Sequence, residues 1–508
     1  MDIKWSKLQN GTDIRGVALE GVHGENVNLT GEVVEKIGYS FMVWLSNKIG
    51  KSAKDIKIAV GNDSRLSGPE LKKALIKGLS SEESVVFDCG LASTPAMFMT
   101  TVVDGYNFDG AIMITASHLP FNRNGLKFFT KEGGLEKVDI KEILTIAEEY
   151  NYTYEERNIE SQEIDFISVY SDIFVKKIRK EVNSKNNWEK PLEGLKIIVD
   201  AGNGAGGFFA SKVLEPLGAD ITGSQFLNPD GRFPNHIPNP EVKEAMESIQ
   251  EAVKSNKADF GIIFDTDVDR AAVVDGNGNA INRNSLIALI SAIILEEHPN
   301  STIVTDSVTS NGLKKFIEND LKGVHHRFKR GYKNVINEAI RLNNEGTESH
   351  LAIETSGHAA IKENYFLDDG AYLTAKILIK LAKMKLEKNK NITELISALE
   401  TPLVSNEYRV KINTEEFGNY GSGVLEDLTK FAKQKKGWSI VPNNFEGVRI
   451  DLDKENGDGW FLVRMSLHDP VIPINIESYS EGGVEIAAKS LEKFLNRYDL
   501  LDLSCFSK

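Results

Sequence analysis

The 508-residue chain is short of cysteine, of long apolar runs and of net positive charge, and each shortage excludes a class of protein. Cys89 and Cys505 are its only cysteines and stand far apart, which rules out a disulfide framework and a Cys-rich zinc site. The longest apolar run, Leu286 to Leu295, falls well below the roughly 18 residues needed to cross a bilayer. Asn284 or Ser285 before it and Pro299 after it predict a buried helix with ordinary start and stop signals. The opening MDIKWSKLQN has no signal-peptide apolar core. With 60 basic against 74 acidic residues, the net charge of −14 argues against nucleic-acid or anionic-membrane partners. A local basic cleft remains compatible with that total. The expectation is a cytoplasmic protein that acts on small molecules as a monomer or small homo-oligomer.

What is present is ordinary globular composition, 41% apolar and 26% charged, enough for a core in each domain. At about 150 residues per domain the length predicts three or four domains. Strand-like runs alternate with helical patterns: KIAVGND before PELKKALIKGL, LKIIVDAGN before GFFASKVLEPLGA, TIVTDSV before NGLKKFIEND, and LAIETSGH ahead of DGAYLTAKILIKLAKMK. That rhythm predicts α/β layers built on parallel or mixed sheets. Breaks are expected in the polar stretch 176–194, near HPNS at 298–301 and after Leu399. The last hundred residues, with short alternating strands about an NGDG turn at 456–459, predict a smaller α+β domain. The expected division is 1–190, 191–300, 301–400 and 401–508.

Two stretches carry the chemistry. In MITASHLPFNRNGLKFF, 113–129, apolar strand ends flank Ser117, His118, Pro120, Asn122, Asn124 and Gly125. Proline fixes φ, while Asn and Gly tolerate positive φ, so Ser117 is expected on a stiff loop at the rim of a packed layer. A plain turn with a capping serine is the competing reading. In GIIFDTDVDRAAVVDGNG, 261–278, Asp265, Asp267 and Asp269 alternate, which in extended chain puts three carboxylates on one face. Such charges repel unless a cation joins them, and an all-oxygen set suits Mg²⁺ or Ca²⁺. An EF-hand does not fit, because its glycine position holds Arg270 and its closing glutamate position holds Gly276. An apolar strand running into Asp265 and Asp267 is also how a haloacid-dehalogenase-type phosphotransferase begins. There Asp265 would be the nucleophile, Asp267 the acid/base, and Asp368 with Asp369 a second metal-binding pair. That reading leaves residues 1–260 without a purpose.

Three further motifs are weaker alone. GNGAGG, 202–207, fits G-x-G-x-x-G, but the next strand ends without the acid that a dinucleotide ribose requires, so a tight strand-to-helix turn is expected. ETSGH, 354–358, alternates Glu354, Ser356 and His358, and a carboxylate beside a hydroxyl can pair with vicinal sugar hydroxyls. WFLVRMSLHDP, 460–470, alternates Arg464, Ser466 and His468, a donor set suited to phosphate.

In this order and almost end to end, the motifs resemble the α-D-phosphohexomutase superfamily, the phosphoglucomutases and phosphomannomutases. TASHLPFNRNGLK resembles its phosphoserine loop, DTDVDR its metal loop, ETSGH its sugar loop and RMSLHDP its phosphate loop. GTDIRG, VGNDSRLSGPEL, FPNHIPNPE and KRGYKNVI add supporting matches. The resemblance implies three similar α/β domains and a smaller C-terminal α+β domain around a central cleft. It implies that Ser117 carries a phosphoryl group and that Asp265, Asp267 and Asp269 hold Mg²⁺, with a phosphate oxygen on Ser117 as a further ligand. Arg15, Lys127 and Arg270 would neutralise charge, and His118 or Lys127 would move the hydroxyl proton. Ser117 and His118 are not expected to form a hydrolase dyad, since neighbouring residues rarely face each other. Lys333, Glu354, Ser356, His358, Arg464, Ser466 and His468 would bind substrate. The implied activity is phosphoryl transfer on glucose or mannose phosphate through hexose 1,6-bisphosphate, which acts as intermediate or activator.

The chain departs from the family pattern at Leu119, Thr266, Leu467, His468 and Asp469. Leu467 stands where glycine lets a backbone approach an anion closely. The distal phosphate is therefore expected to be held differently. Two alternatives follow: a glucose 1,6-bisphosphate synthase drawing on a donor such as fructose 1,6-bisphosphate, and a non-catalytic sugar-phosphate sensor.

Overall fold

Wherever the sequence alternates an apolar run with an amphipathic one, the computed structural model has a buried strand backed by a helix. It describes residues 4–80, 84–149, 161–388, 391–466 and 469–507. Two compact units form. The first comprises Met1–Asn282, Ser356–Ala359 and Leu367–Ile392; the second comprises Arg283–Thr355, Ala360–Phe366 and Thr393–Lys508.

In the first unit, strand Lys57–Asn62 pairs in parallel with Val85–Leu91 and Gly110–Ile114. Gly110–Ile114 then pairs antiparallel with Arg123–Thr130, which pairs antiparallel with Asp13–Val17. The strand ends read from 113–129 are thus real, with Ile114 opposite Leu126. Helices Gly31–Ile49 and Gly68–Leu79 cover this sheet; the first is capped by Thr30, whose hydroxyl accepts from Val33 N at 3.3 Å. A second sheet sets Ile197–Asp200 parallel to Phe260–Phe264, with Ala271–Asp275 antiparallel beyond. Helices Lys243–Asn256 and Gly370–Lys388 belong to the same unit. The polar stretch 176–194 opens inside helix Phe166–Val182, whose inner face buries Tyr170, Phe174 and Ile178 while its charges point outward.

In the second unit, helix Arg283–Glu297 buries every residue from Leu286 to Leu295. Strand Thr302–Thr305 lies parallel to both Val324–Arg327 and Ser349–Ile353. The C-terminal part is an antiparallel sheet in the spatial order 438–440, 448–452, 459–463, 471–478, 404–412, 501–502. Helices Phe417–Gln434 and Gly483–Leu495 pack on it. The chain therefore has three α/β domains and a smaller, β-rich C-terminal one. Among the described residues no helix is long and apolar enough to cross a membrane.

Candidate active site

The loop between strands Gly110–Ile114 and Arg123–Thr130 turns because Ser117 takes a left-handed φ of +50°, which an L-residue adopts only when its surroundings impose it. Arg65, at 1% exposure, imposes it. Its guanidinium donates to the carbonyls of Pro120 at 2.8 Å, Arg123 at 2.9 Å and Leu119 at 2.6 Å, and to that of Ser117. Asp63 pairs with Arg65 and accepts from the Thr115 hydroxyl at 2.7 Å; that hydroxyl in turn accepts from Ser117 N at 2.9 Å. Gly125 is required opposite, since a Cβ there would sit 2.4 Å from the Ile14 carbonyl and 3.0 Å from Arg15 Cγ. The loop is as stiff as expected. Ser117 is not exposed, however: it is 4% accessible, because its hydroxyl turns inward and donates to Asp265 Oδ2 at 3.0 Å.

The three aspartates do converge, with one oxygen from each within 4.8 Å of the others. The route differs from the extended chain inferred from the spacing. Strand Phe260–Phe264 ends at Asp265 and the chain coils through a turn, with Val268 at a φ of +67°, before strand Ala271–Asp275 begins. Alternation mattered less than the tightness of that turn. The GNGAGG segment packs against it: Ala205 N donates to the Thr266 carbonyl at 2.8 Å, and a Cβ on Gly204 would stand 2.6 Å from the same oxygen. These glycines therefore serve close backbone contact, consistent with a turn rather than a nucleotide site.

Charge in the cluster is divided atom by atom. Lys127 donates to Asp267 Oδ2 at 3.2 Å and Asp269 Oδ2 at 2.5 Å. Thr94, which opens helix Thr94–Met99, donates through Oγ1 to Asp267 Oδ2 at 2.5 Å and through its backbone N to the Asp267 carbonyl at 2.8 Å. The Oδ1 atoms of Asp267 and Asp269 are buried and have no hydrogen-bond partner among the described residues. Buried, unsatisfied carboxylate oxygens beside a serine hydroxyl fit a hard divalent cation. Burial, together with the negative charges of Asp269 and Asp267, pushes Asp265 well above the usual carboxylate range. Burial acts the same way on Asp269, but Lys127 and His358 outweigh it and hold that carboxyl low.

Arg270 stands over the serine. Its Nε lies 3.2 Å from Asp265 Oδ2, and one terminal nitrogen lies 3.3 Å from Ser117 Oγ and 2.7 Å from His118 Nδ1; contrary to expectation the adjacent Ser117 and His118 do face each other, with Oγ 3.3 Å from Nδ1. The other donates to Asn239 at 3.2 Å, which gives FPNHIPNPE its purpose. Burial, with the cations Arg270 and Arg15, pulls His118 down to about 3, so its imidazole is neutral at physiological pH. Arg15, on strand Asp13–Val17, pairs with Asp13 at 2.8 Å. His358 contrasts with His118. Burial lowers it, but Asp368 at 2.5 Å and Asp269 at 3.9 Å outweigh that and raise it to about 9. Asp368 thus serves His358, and Asp369 accepts from the Tyr170 hydroxyl at 2.7 Å and from Tyr372 N at 2.9 Å.

The first unit therefore brings together Ser117, His118, Lys127, Arg270, the three aspartates and His358, with Arg15 in electrostatic reach. Ser356 also belongs to it. In the second unit, Glu354 accepts from Gly331 N at 2.6 Å, and Lys333 follows on helix Tyr332–Asn344. Arg464 and Ser466 follow strand Gly459–Val463. Burial lowers Arg464, Glu446 opposes that, and the charge of Arg330 lowers it further. Glu446 also accepts from the Ser307 hydroxyl and from Arg330 N at 3.1 Å. His468 and Leu467 lie outside the described residues. Arg65, Asp63, Thr94, Arg330 and Glu446 were not singled out from the sequence. Asp63, Arg65 and Arg330 sit inside quoted motifs, so an arginine shortly past a strand end was the available signal.

The chain is similar to known proteins over most of its length. Family models described as phosphoglucomutase/phosphomannomutase, alpha/beta/alpha domains I, II and III, match residues 6–153, 172–278 and 282–402. A phosphomannomutase/phosphoglucomutase of Pseudomonas putida is 30% identical over 479 residues, 93% of this chain and 92% of its own. A phosphoglucomutase/phosphomannomutase of Thermococcus kodakarensis is 32% identical over 496 residues, 96% of this chain and 99% of its own. The crystal structure of a phosphoglucomutase/phosphomannomutase family protein from Burkholderia thailandensis superposes with a TM-score of 0.77 at 26% identity, covering 97% of this chain and 98% of that one.

Proposed function

The chain belongs to the phosphoglucomutase/phosphomannomutase family, and from that premise we propose that Ser117 carries a phosphoryl group and exchanges it with the C1 and C6 oxygens of a hexose phosphate, glucose or mannose phosphate, through hexose 1,6-bisphosphate. The observation that carries this reading is the Ser117 hydroxyl, clamped in a left-handed loop and aimed at three buried aspartates. Phosphoryl transfer needs placement and charge neutralisation more than covalent help from the protein.

In the first half-reaction the Ser117 Oγ–P bond breaks as a sugar O–P bond forms, and the proton that the sugar hydroxyl gives up is balanced by one taken up on the departing serine oxygen. The reverse exchange at the other end of the sugar restores the phosphoserine. Mg²⁺ held by Asp265, Asp267 and Asp269 would neutralise phosphoryl charge. Arg270, within 3.3 Å of the serine oxygen, binds the equatorial oxygens. His118 or Lys127 would move the sugar proton; Lys127 Nζ faces Asp267 and Asp269, and His118 Nδ1 faces Arg270. His358, protonated at neutral pH, contributes a donor to the sugar. Arg464, Ser466 and His468, with Lys333, Glu354 and Ser356, would hold the distal phosphate and the ring.

Peptide mapping of purified protein tests the nucleophile: phosphate is expected on Ser117, and an alkali-labile phosphate on Asp265 would overturn the assignment. Product analysis tests the reaction. Glucose 1-phosphate with catalytic glucose 1,6-bisphosphate should yield glucose 6-phosphate rapidly. Accumulation of glucose 1,6-bisphosphate from stoichiometric fructose 1,6-bisphosphate, with little isomerisation, would make the enzyme a bisphosphate synthase. Absence of both would leave a sugar-phosphate sensor.

A further inference from the structure

Helix Arg283–Glu297 ends against its own dipole. Its last turn carries Glu296 and Glu297 and no basic residue, although the C-terminal carbonyls favour cations. The next residue, His298, closes that turn by donating its N–H to the Ile294 carbonyl at 2.8 Å. Its imidazole stacks on that of His350, with centroids 3.5 Å apart and planes 6° from parallel. His350 belongs to strand Ser349–Ile353, and its Nε2 lies 2.6 Å from Glu348 Oε1. The two backbones are fixed to each other: Thr302 N donates to the Glu348 carbonyl at 2.8 Å, and Thr302 pairs with Ser349. One ligand atom from each of His298, Glu348 and His350 falls within 4.8 Å of the other two.

We propose that His298, Glu348 and His350 form a second metal site, for Zn²⁺ or a similar borderline transition metal, at the junction of the long buried helix and its neighbouring strand. Two imidazoles and one carboxylate are the ligand type that prefers such ions over Mg²⁺, which is bound by oxygen. The carboxylates of Glu297, Glu348 and Glu363 all act on His298, a setting that favours a positive ion beside it. With the ring planes 6° from parallel, their in-plane lone pairs do not meet at one point as they stand. Tilting each ring about its soft χ2 would turn them toward one point and close the ligand triangle to the ~3.4 Å edges that bonds of about 2.0–2.1 Å require. Water would complete the tetrahedron. This site is independent of the serine and the three aspartates and does not rest on the reading of their chemistry.

The test uses the full chain, stripped of metal with chelator and then saturated with Mg²⁺ so that the aspartate cluster is filled. Zn²⁺ is titrated by competition with a chromophoric chelator. One saturable Zn²⁺ site is expected. It should be retained in Asp267→Asn and lost in His350→Ala and in His298→Ala, which remove ligands from two different elements. Zn²⁺ should also raise the thermal midpoint of the parent protein and of neither histidine variant, with circular dichroism confirming that each variant is folded. Absence of Zn²⁺ binding in the Mg²⁺-saturated parent, unchanged binding in a folded histidine variant, or loss of the site in Asp267→Asn would each overturn the proposal.

Discussion

Replacing Thr94 by valine removes one hydroxyl and little shape, and it should weaken the binding of a metal ion that Thr94 itself would not ligate. The hydroxyl donates to Asp267 Oδ2 at 2.5 Å while the opposite oxygen, Oδ1, has no hydrogen-bond partner among the described residues. Thr94 thereby sets the rotation of the carboxylate and so the direction in which Oδ1 points. A hydrogen bond to a charged group contributes about 1.5–3 kcal/mol. Part of that is kept in the variant, because Lys127 still reaches the same oxygen at 3.2 Å and the Thr94 backbone N–H still holds the Asp267 carbonyl. Partners that orient a ligand from outside are typically worth about 10–100-fold in metal affinity, and the expected loss of Mg²⁺ affinity lies in that range. The assay is calorimetric titration of metal-stripped protein with Mg²⁺, beside circular dichroism to confirm the fold. Thr94→Ser, which keeps the donor, should bind Mg²⁺ as the parent does. A Thr94→Val protein that is folded and binds Mg²⁺ within about twofold of the parent would refute the assignment of Thr94 as the group that orients Asp267.

Other perturbations act on neighbouring features. Gly204→Ala drives a Cβ to 2.6 Å from the Thr266 carbonyl, so the metal loop must shift; lost Mg²⁺ binding in a folded protein is expected by the same calorimetry. Lys127→Met leaves buried Asp267 and Asp269 without their shared cation, at a cost of about 3–5 kcal/mol, and Mg²⁺ should then raise the thermal midpoint more than it does in the parent. His325 is buried among Arg327 and Arg449, and burial with those charges pulls it well below its ordinary value. The unfolded chain therefore takes up a proton that the native state refuses: the stability this group confers is whole above about pH 6.5 and declines below it, by up to ~1.4 kcal/mol per pH unit. His325→Gln should flatten the fall of the thermal midpoint between pH 7 and 5. Cys89 is buried and its thiol is pushed up to about 12, so a thiol reagent at neutral pH should label Cys505 in the native protein and Cys89 only after denaturation.

What the sequence disclosed and what it withheld divide by the range of the interaction. Strands such as Gly110–Ile114 and Phe260–Phe264 were legible because burial on both faces leaves a continuous apolar run. Their ends were legible because turn residues punctuate them. The aspartate triplet was found from its spacing, yet the spacing acts through a left-handed Val268 rather than through extended chain, and no residue type at 268 announces that. The clamps were illegible for a different reason. Arg65 holds carbonyls 52 to 58 residues away, and Thr94 holds Asp267 across 173 residues. Such pairings follow from which strand ends the sheets bring together, so they leave no periodicity in the chain. The GNGAGG segment shows the same limit from the other side. A glycine pattern records only that something must come close. Here that neighbour is the peptide of Thr266, where another chain would place a pyrophosphate, so a fingerprint of close approach identifies a ligand only once the opposing surface is known.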